Sequence, residues 1–428
     1  MLDLFATLLG IFKQPNQNLR PLEVFSWEDT AIFDLPNVVN DSVTQNAIKR
    51  YLLDLANQGL DSQKQGVWIQ SDWTTPVSNQ GKTPLPAASL TKVATTLAAL
   101  SKWGARHQFT TNLYHSGEIS NGVISGDLII AGSGDPLFIW EEAIALGNAL
   151  TKLGITKVQG DIWVSNQFYM NFKDQPALAG ELFKQALDHQ LWQPEITQQY
   201  LKMPPETKQP AIAIAGEVKT IQQVPASAKL LLRHKSLPLA EILRQMNIYS
   251  NNKMAQILAD LVGSARQIAK SSADIADFPE KEIQLINGSG LGEGNRISPH
   301  AVCQMLIAIN TMLKEHDLSV ADLFPTSGRD FVGTLQDRGL PLNTTVKTGT
   351  LNAVSALGGV ISTENKGNIY FTFINYGYRV KYFRQQQDQI LNELVQTWQV
   401  SPNKTNLVKA DNWSFGDPTR NEHQLDSL

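Results

Sequence analysis

Apolar positions along the chain follow three successive rhythms. Between 87 and 103 the string AASLTKVATTLAALSKW is rich in Ala and Leu, and Leu90, Val93, Leu97 and Leu100 recur at helical spacing. Pro84 and Pro86 impose extended backbone just ahead of this helix, and Gly104 supplies its stop. From about 109 to 224 the pattern shortens into strands and turns. ISGDLII (124–130) and VQGDIWV (158–164) share a Gly-Asp turn followed by an apolar run. No third copy of that string follows, so the stretch reads as a β-rich segment with a helix near 140–153, not as a solenoid.

Helical spacing returns after 230. LAEILRQM (239–246) precedes SNNKMAQILADLVG (250–263), where Met254, Ile257, Leu258 and Leu261 make one apolar face. A further helix is predicted over 299–313. TTVKTGTL (344–351) and SALGGVIS (355–362) then read as strands, and a polar turn at 364–368 leads to IYFTFINY (369–376), a hairpin pattern. A last helix over 388–398 places Ile390, Leu391, Leu394, Val395 and Trp398 on one side. At about 150 residues per domain, 428 residues suggest two or three domains. The expected organisation is a discontinuous main domain (1–108 and 225–400), an inserted β-rich domain (109–224) and a polar, loosely held tail (401–428).

Composition narrows the class. An apolar content of 42% is enough for a large core and excludes global disorder. A net charge of -4 excludes binding to nucleic acid through phosphate neutralisation by the chain as a whole. The single cysteine, Cys303, can form neither an internal disulfide nor a CxxC metal site. The apolar run at 4–12 is far short of the roughly 20 residues that span a bilayer. As a secretory leader it is weak, because Asp3 precedes it and Lys13 only follows. It reads as a segment packed on the body of the protein at least as well as it reads as a leader, and no later run is long enough for a membrane span.

Three short strings could carry chemistry: Ser89-Leu90-Thr91-Lys92, Ser250-Asn251-Asn252 and Lys347-Thr348-Gly349. Each has an ordinary explanation. Ser89 and Ser250 could cap helices, and Lys347 could be an exposed strand-edge lysine. Ser-x-x-Lys also recurs at Ser250–Lys253 and Ser401–Lys404, and His115-Ser116-Gly117 imitates the third string out of order. Context separates them. Ser89 opens the strongest helix, where free N–H groups favour a developing anion, and Lys92 lies one turn on, on the same face. A serine hydroxyl needs a base, and a lysine desolvated by apolar neighbours can be one. Ser250 would relay a proton from Lys92 to a leaving amine, while Asn252 would hold a substrate carbonyl and orient Lys92. Tyr249-Ser250-Asn251 also fits a Tyr-x-Asn version of this element; Ser-x-Asn is preferred. Lys347 and Thr348 would bind a substrate carboxylate, and Gly349 would admit the substrate backbone. The N–H groups of Thr350 and Ser89 would form an oxyanion hole.

In that order, on helix, helix and strand, the three strings make up the signature of the penicillin-recognising serine enzymes. The chain resembles the class C low-molecular-mass penicillin-binding proteins, the D-alanyl-D-alanine carboxypeptidase/endopeptidases. PAASLTKVATTLAAL (86–100), GDLIIAGSGDPLF (126–138), HKSLPLAEILRQMNIYSNNKMAQIL (234–258), NGSGLGEGNRISP (287–299), GTLQDRG (333–339) and VKTGTLNAVSALGG (346–359) are similar to successive blocks of that family. The resemblance implies an α/β (α+β) fold of the penicillin-binding, β-lactamase-like transpeptidase type. That fold is an antiparallel sheet flanked by helices, with an inserted β-rich domain. It also implies acylation of Ser89 by the penultimate D-alanine of peptidoglycan stem peptides, then hydrolysis. β-Lactams would be covalent inhibitors, in the periplasm or cell envelope. No metal, organic cofactor or nucleic-acid partner is implied, and membrane association would be at most peripheral; the oligomeric state is left open. The stretch between Ser89 and Ser250 is shorter than is usual for the family, which implies a missing or reduced third domain. Asn287 and Gly292 stand where the family more often has Asp and Ser.

Two alternatives stay open at this level. One is a β-lactamase or esterase on the same scaffold. The class A route to a deacylating water finds no support at Glu280 and Glu282, which are followed four positions on by Gln284 and Ile286. The other is a non-catalytic wall-binding homologue.

Overall fold

The computed structural model describes residues 41–423 apart from 72–74, 166, 365 and 401–412. The apolar run at 4–12 and the Ser401–Lys404 string lie outside the described residues. In chain order, helix α1 (Ser42–Asn57) is followed by strands β1 (Gln65–Gln70), β2 (Val77–Asn79) and β3 (Leu85–Pro86), then helix α2 (Thr91–Trp103). Strands β4 (Thr110–His115), β5 (Ile119–Ser120), β6 (Val123–Ile124) and β7 (Leu128–Gly132) lead to helix α3 (Trp140–Lys152). Next come β8 (Lys157–Val158), β9 (Ile162–Ser165), helices α4 (Pro176–Leu187) and α5 (Pro194–Tyr200), and strands β10 (Ala213–Ile214), β11 (Val218–Ile221) and β12 (Lys229–Lys235). Helices α6 (Leu239–Ile248), α7 (Asn252–Val262) and α8 (Ala265–Ile275) precede the short strands β13 (Ile283–Gln284) and β14 (Arg296–Ile297). Helices α9 (Pro299–Lys314) and α10 (Val320–Leu323), strands β15 (Thr345–Leu351), β16 (Val354–Ser362) and β17 (Asn368–Tyr376), helix α11 (Val380–Trp398) and strand β18 (Asn421–His423) complete the series.

The main body is an antiparallel sheet of order β15-β16-β17-β1-β2 with helices on both faces. Every residue of β16 but the last is buried, which explains the continuous apolar runs of this hairpin. On one face Tyr51, Leu55, Phe383, Leu391 and Trp398 from α1 and α11 pack against Val67, Leu357, Phe371 and Phe373. On the other lies α2. The sequence marks one apolar stripe on it, yet from Thr91 through Leu100 every residue is buried. A helix closed in on all sides belongs to a core centre, and here α6, α7, α8 and α9 surround it. α11 starts eight residues earlier than the spacing of 388–398 predicts, because its first turns carry Phe383 and Gln387 into the core.

Residues from β4 onward build a second core around Leu113, Ile130, Ile144, Val164 and Phe183. Its two sheets run β11-β9-β7-β4-β12-β18 and β10-β8-β6-β5, with α3, α4 and α5 as further layers. The Gly-Asp copies stack on one another. Gly160 N–H donates to Gly126 O (2.9 Å), and Asp161 N–H donates to Asp127 Oδ1 (2.8 Å). A third rung follows, contrary to the sequence expectation. Gly216 N–H donates to Gly160 O (3.0 Å) and Glu217 N–H to Asp161 Oδ1 (2.8 Å), with β7, β9 and β11 in parallel register. The sequence hides this third copy because Glu217 stands in place of Asp and because α4 and α5 lengthen the connection. β12, beyond residue 224, pairs with β4, and β18, from the tail, pairs with β12. No helix among the described residues is long and apolar enough to cross a membrane.

Candidate active site

Ser89 sits in a single 3-10 turn (88–90) just before α2. The helix starts without a side-chain cap, so the serine hydroxyl is not used for capping. Ala88 is held at φ 47, a left-handed backbone that costs an L-residue about 1–2 kcal/mol. Tight packing maintains it. A Cβ on Gly290 (φ +86) would lie 1.9 Å from the Ala88 carbonyl oxygen, so only glycine lets the 287–295 loop press against this turn.

Lys92, on the first turn of α2, is 0% exposed. Its Nζ lies 3.1 Å from Ser89 Oγ, 2.8 Å from Asn252 Oδ1 and 2.6 Å from Ser289 O. None of these acceptors carries a charge, and burial lowers its pKa to about 7. A neutral amine has two N–H donors and one lone pair. The amide and carbonyl oxygens can only accept, so they take both donors and leave the lone pair for the Ser89 O–H.

Asn251 caps α7, its Oδ1 accepting from Lys253 N–H (3.0 Å) and Met254 N–H (3.1 Å). That leaves Ser250, at φ 51, and Asn252 to face the groove, while Tyr249 beside them is 57% exposed. Lys347 comes from β15, the open edge of the sheet, but it is 0% exposed instead of lying on a solvated edge. Its Nζ donates to Ser250 Oγ (3.0 Å) and Thr348 O (2.8 Å). Burial, then the nearby charge of Lys92, holds its pKa well below the usual lysine range. A Cβ on Gly349 would stand 3.0 Å from both Ala87 O and the backbone N of Ser89, so the strand can approach the serine turn only as glycine. Val346 N–H donates outward to Pro325 O (2.9 Å). Antiparallel alternation then puts the N–H groups of Thr348 and Thr350 on that same outer edge, beside Ser89.

Ser89, Lys92, Ser250, Asn252 and Lys347 therefore line one groove between α2, α7 and β15, with Thr348, Gly349 and Thr350 along its strand wall. One partner had no signal in the sequence reading: the Ser289 carbonyl that fixes Lys92. Asn287 holds the loop that presents it. Its Oδ1 accepts from Ser289 N–H (3.1 Å), Ser289 Oγ (3.0 Å), Gly290 N–H (2.8 Å) and Asn295 Nδ2 (3.3 Å).

The sequence pattern of the D-Ala-D-Ala carboxypeptidase 3 (S13) family matches residues 45–179 and 174–397. The chain is 26% identical over 395 residues to the D-alanyl-D-alanine carboxypeptidase DacB of Haemophilus influenzae, covering 69% of this chain and 81% of that protein. The fold is similar to that of the predatory endopeptidase Bd3459 of Bdellovibrio bacteriovorus, at TM-score 0.67 and 21% identity over 79% of this chain and 94% of that one. It is similar also to penicillin binding protein 4 (dacB) of Haemophilus influenzae, at TM-score 0.61 and 21% identity over 81% of this chain and 99% of that one.

Proposed function

This chain belongs to the D-Ala-D-Ala carboxypeptidase 3 (S13) family, and from that premise we propose that Ser89 is the nucleophile of a serine-type D-alanyl-D-alanine carboxypeptidase/endopeptidase acting on peptidoglycan stem peptides. Lys92 takes the Ser89 proton as Oγ attacks the carbonyl carbon of the penultimate D-alanine. The N–H groups of Ser89 and Thr350 receive the oxyanion, a contribution of about 3–4 kcal/mol per donor in related chemistry. Ser250, bonded to Lys347, passes the proton to the leaving amine as the C–N bond breaks. Terminal D-alanine, or the amine of a cross-link, departs and leaves an ester on Ser89. Water, deprotonated in turn by the free Lys92 amine, cleaves that ester and returns the proton to Oγ. Asn252 orients Lys92 and the substrate amide, while Lys347, Thr348 and Gly349 seat the far end of the substrate. The 109–224 segment, completed by β12 and β18 in its larger sheet, is the inserted domain of a discontinuous peptidase, and the substrate's location puts the enzyme in the cell envelope.

The observation that carries this reading is the uncharged, triply bonded setting of Lys92 against Ser89 Oγ. The test is mass spectrometry of the intact protein after benzylpenicillin, with the modified peptide mapped. One acyl group is expected, on Ser89, and none in Ser89→Ala. An adduct on another serine, or one that persists in Ser89→Ala, overturns the assignment. A stable adduct supports a peptidase, whereas rapid turnover of a chromogenic β-lactam would favour a β-lactamase.

A further inference from the structure

The open edge of β15 is closed off at its start. The Val346 N–H is taken by Pro325 O (2.9 Å), so a substrate strand meets the N–H groups of Thr348 and Thr350 further along. In the peptidase reading above, the scissile carbonyl sits at the Thr350 N–H. The proton for the leaving amine comes from Ser250, bonded to Lys347 (3.0 Å), three residues earlier on the same strand. The leaving half of the substrate therefore points toward the start of β15. A single D-alanine covers about 3.5 Å, whereas Thr345 lies five residues, about 17 Å, from Thr350. Only a leaving group longer than one residue reaches that end.

A loop stands there, tied down at its base and apolar at its surface. Ser327 N–H donates to Thr344 O (2.9 Å), Asn343 N–H donates to Ser327 O (3.0 Å), and the hydroxyls of Thr326 and Thr345 bond at 2.9 Å. Arg244 of α6 holds Asp330 (2.5 Å), and Arg338 holds Asp388 of α11 (2.5 Å). Gly333 (φ +65) lies so close to α6 that a Cβ would stand 2.3 Å from Ile248 O, two residues before Ser250. The loop is thus fixed beside the groove. Yet Phe331 is 75% exposed, Leu342 70% and Val332 48%. Phe331 and Leu342, with Leu335 and Leu340, help line a cavity of about 190 Å³. An anchored loop keeps such side chains in water at a cost that a bound apolar chain would remove.

The chemistry of the occupant follows from the reaction. The amine released from a cross-link is the side-chain amine of a diamino acid, whose polymethylene chain leads into a second stem peptide. Building on the peptidase reading, we propose that the 327–343 loop, through Phe331 and Leu342, binds the aliphatic side chain of that leaving diamino acid and gives cross-links an advantage over terminal D-alanine as substrates.

The test uses two donors that share one acyl half, diacetyl-L-lysyl-D-alanine. One carries D-alanine as its leaving group. The other carries meso-diaminopimelic acid within an acceptor tripeptide, joined through the amine of its D-centre. Phe331→Ser combined with Leu342→Ser should cut the cross-link-over-D-alanine ratio of kcat/KM about tenfold, the scale of losing part of the apolar contact of two large side chains. The loss should appear in KM more than in kcat, with D-alanine release and melting temperature unchanged. Phe331→Leu combined with Leu342→Met keeps the apolar surface and should keep the ratio. The inference is overturned by equal losses on both donors, by an unchanged ratio in the serine pair, or by the same loss in the conservative pair. It is overturned too if the unsubstituted protein releases D-alanine but leaves the cross-link intact; in all these cases the peptidase reading stands. An unsubstituted protein that cleaves neither donor overturns both.

Discussion

Among the described residues, two of the buried clusters of charge-bearing groups resolve the same problem in opposite ways. In the groove, Lys92 and Lys347 are buried among neutral acceptors, and burial lowers the pKa of both. At the start of α3, Glu142 is buried too, but Arg420 from the C-terminal segment meets both of its oxygens, at 2.5 and 2.6 Å. His234 lies 3.5 Å from the same carboxylate and bonds Asn421 at 2.8 Å. Burial is common to both clusters, so burial alone does not make a group reactive. What differs is whether the opposite charge is buried with it. An amine without a counter-ion gives up its proton and becomes a base, whereas a paired guanidinium stays charged and becomes a fastener.

The largest expected effect follows from unpairing the fastener. Glu142→Gln keeps the side-chain shape but strands the Arg420 guanidinium at 4% exposure. Removing one partner of such a pair costs about 3–5 kcal/mol, while replacing both with apolar groups costs far less. Chemical denaturation should therefore show Glu142→Gln much less stable than Glu142→Leu with Arg420→Met. Penicillin acylation of whatever remains folded should be unaffected. A double variant as unstable as the single one would mean that packing, and not charge pairing, secures this segment.

The converse experiment gives the groove a counter-ion. Asn252→Asp would set a carboxylate where Asn252 Oδ1 now lies, 2.8 Å from Lys92 Nζ. An opposite charge at that distance raises a lysine pKa by about 1–3 units. With the neutral amine as the proposed base, acylation in the unsubstituted protein should fall with decreasing pH below about 7. In Asn252→Asp that acid limb should move up by a unit or more, with about a fivefold or greater loss at pH 7 and partial recovery at high pH. A limb that stays in place would show that Lys92 is not the titrating base.

How far the sequence foretold this follows the same division. The groove was legible because its chemistry rests on residue types in short strings: Ser89 with Lys92, Ser250 with Asn252, Lys347 with Gly349. Its strand wall was legible because β15, β16 and β17 are adjacent in sequence. Contacts between distant segments had no such signature. Arg420 lies 278 residues from Glu142, and β1 reaches β17 across the whole main body. The third rung of the Gly-Asp ladder was concealed by one substitution, Glu217, and by an enlarged loop. A backbone carbonyl such as Ser289 O carries no residue code at all, so the acceptor that fixes Lys92 could be found only in three dimensions.

That carbonyl supplies the finest test of the contrast, because it shows whether the groove needs its neutral acceptors fixed in place. Asn287 Oδ1 gathers four donors and so holds the loop that aims Ser289 O at Lys92. In Asn287→Ala those donors lose their common acceptor, while the loop keeps Gly288 bonded to Gln256 Oε1 (3.1 Å) and Thr95 Oγ1 (2.7 Å) and Gly290 packed on Ala88. At about 1 kcal/mol for a typical intramolecular hydrogen bond, we expect the acylation rate constant to drop about tenfold. The drop should come with a small change in the binding constant and a modest fall in melting temperature. Asn287→Asp keeps an acceptor at the same atom and should restore most of the rate. If the alanine variant acylates at the unsubstituted rate and melts at the unsubstituted temperature, the loop is held by its other bonds and packing without Asn287; if it acylates normally but melts lower, Lys92 needs only two of its three partners.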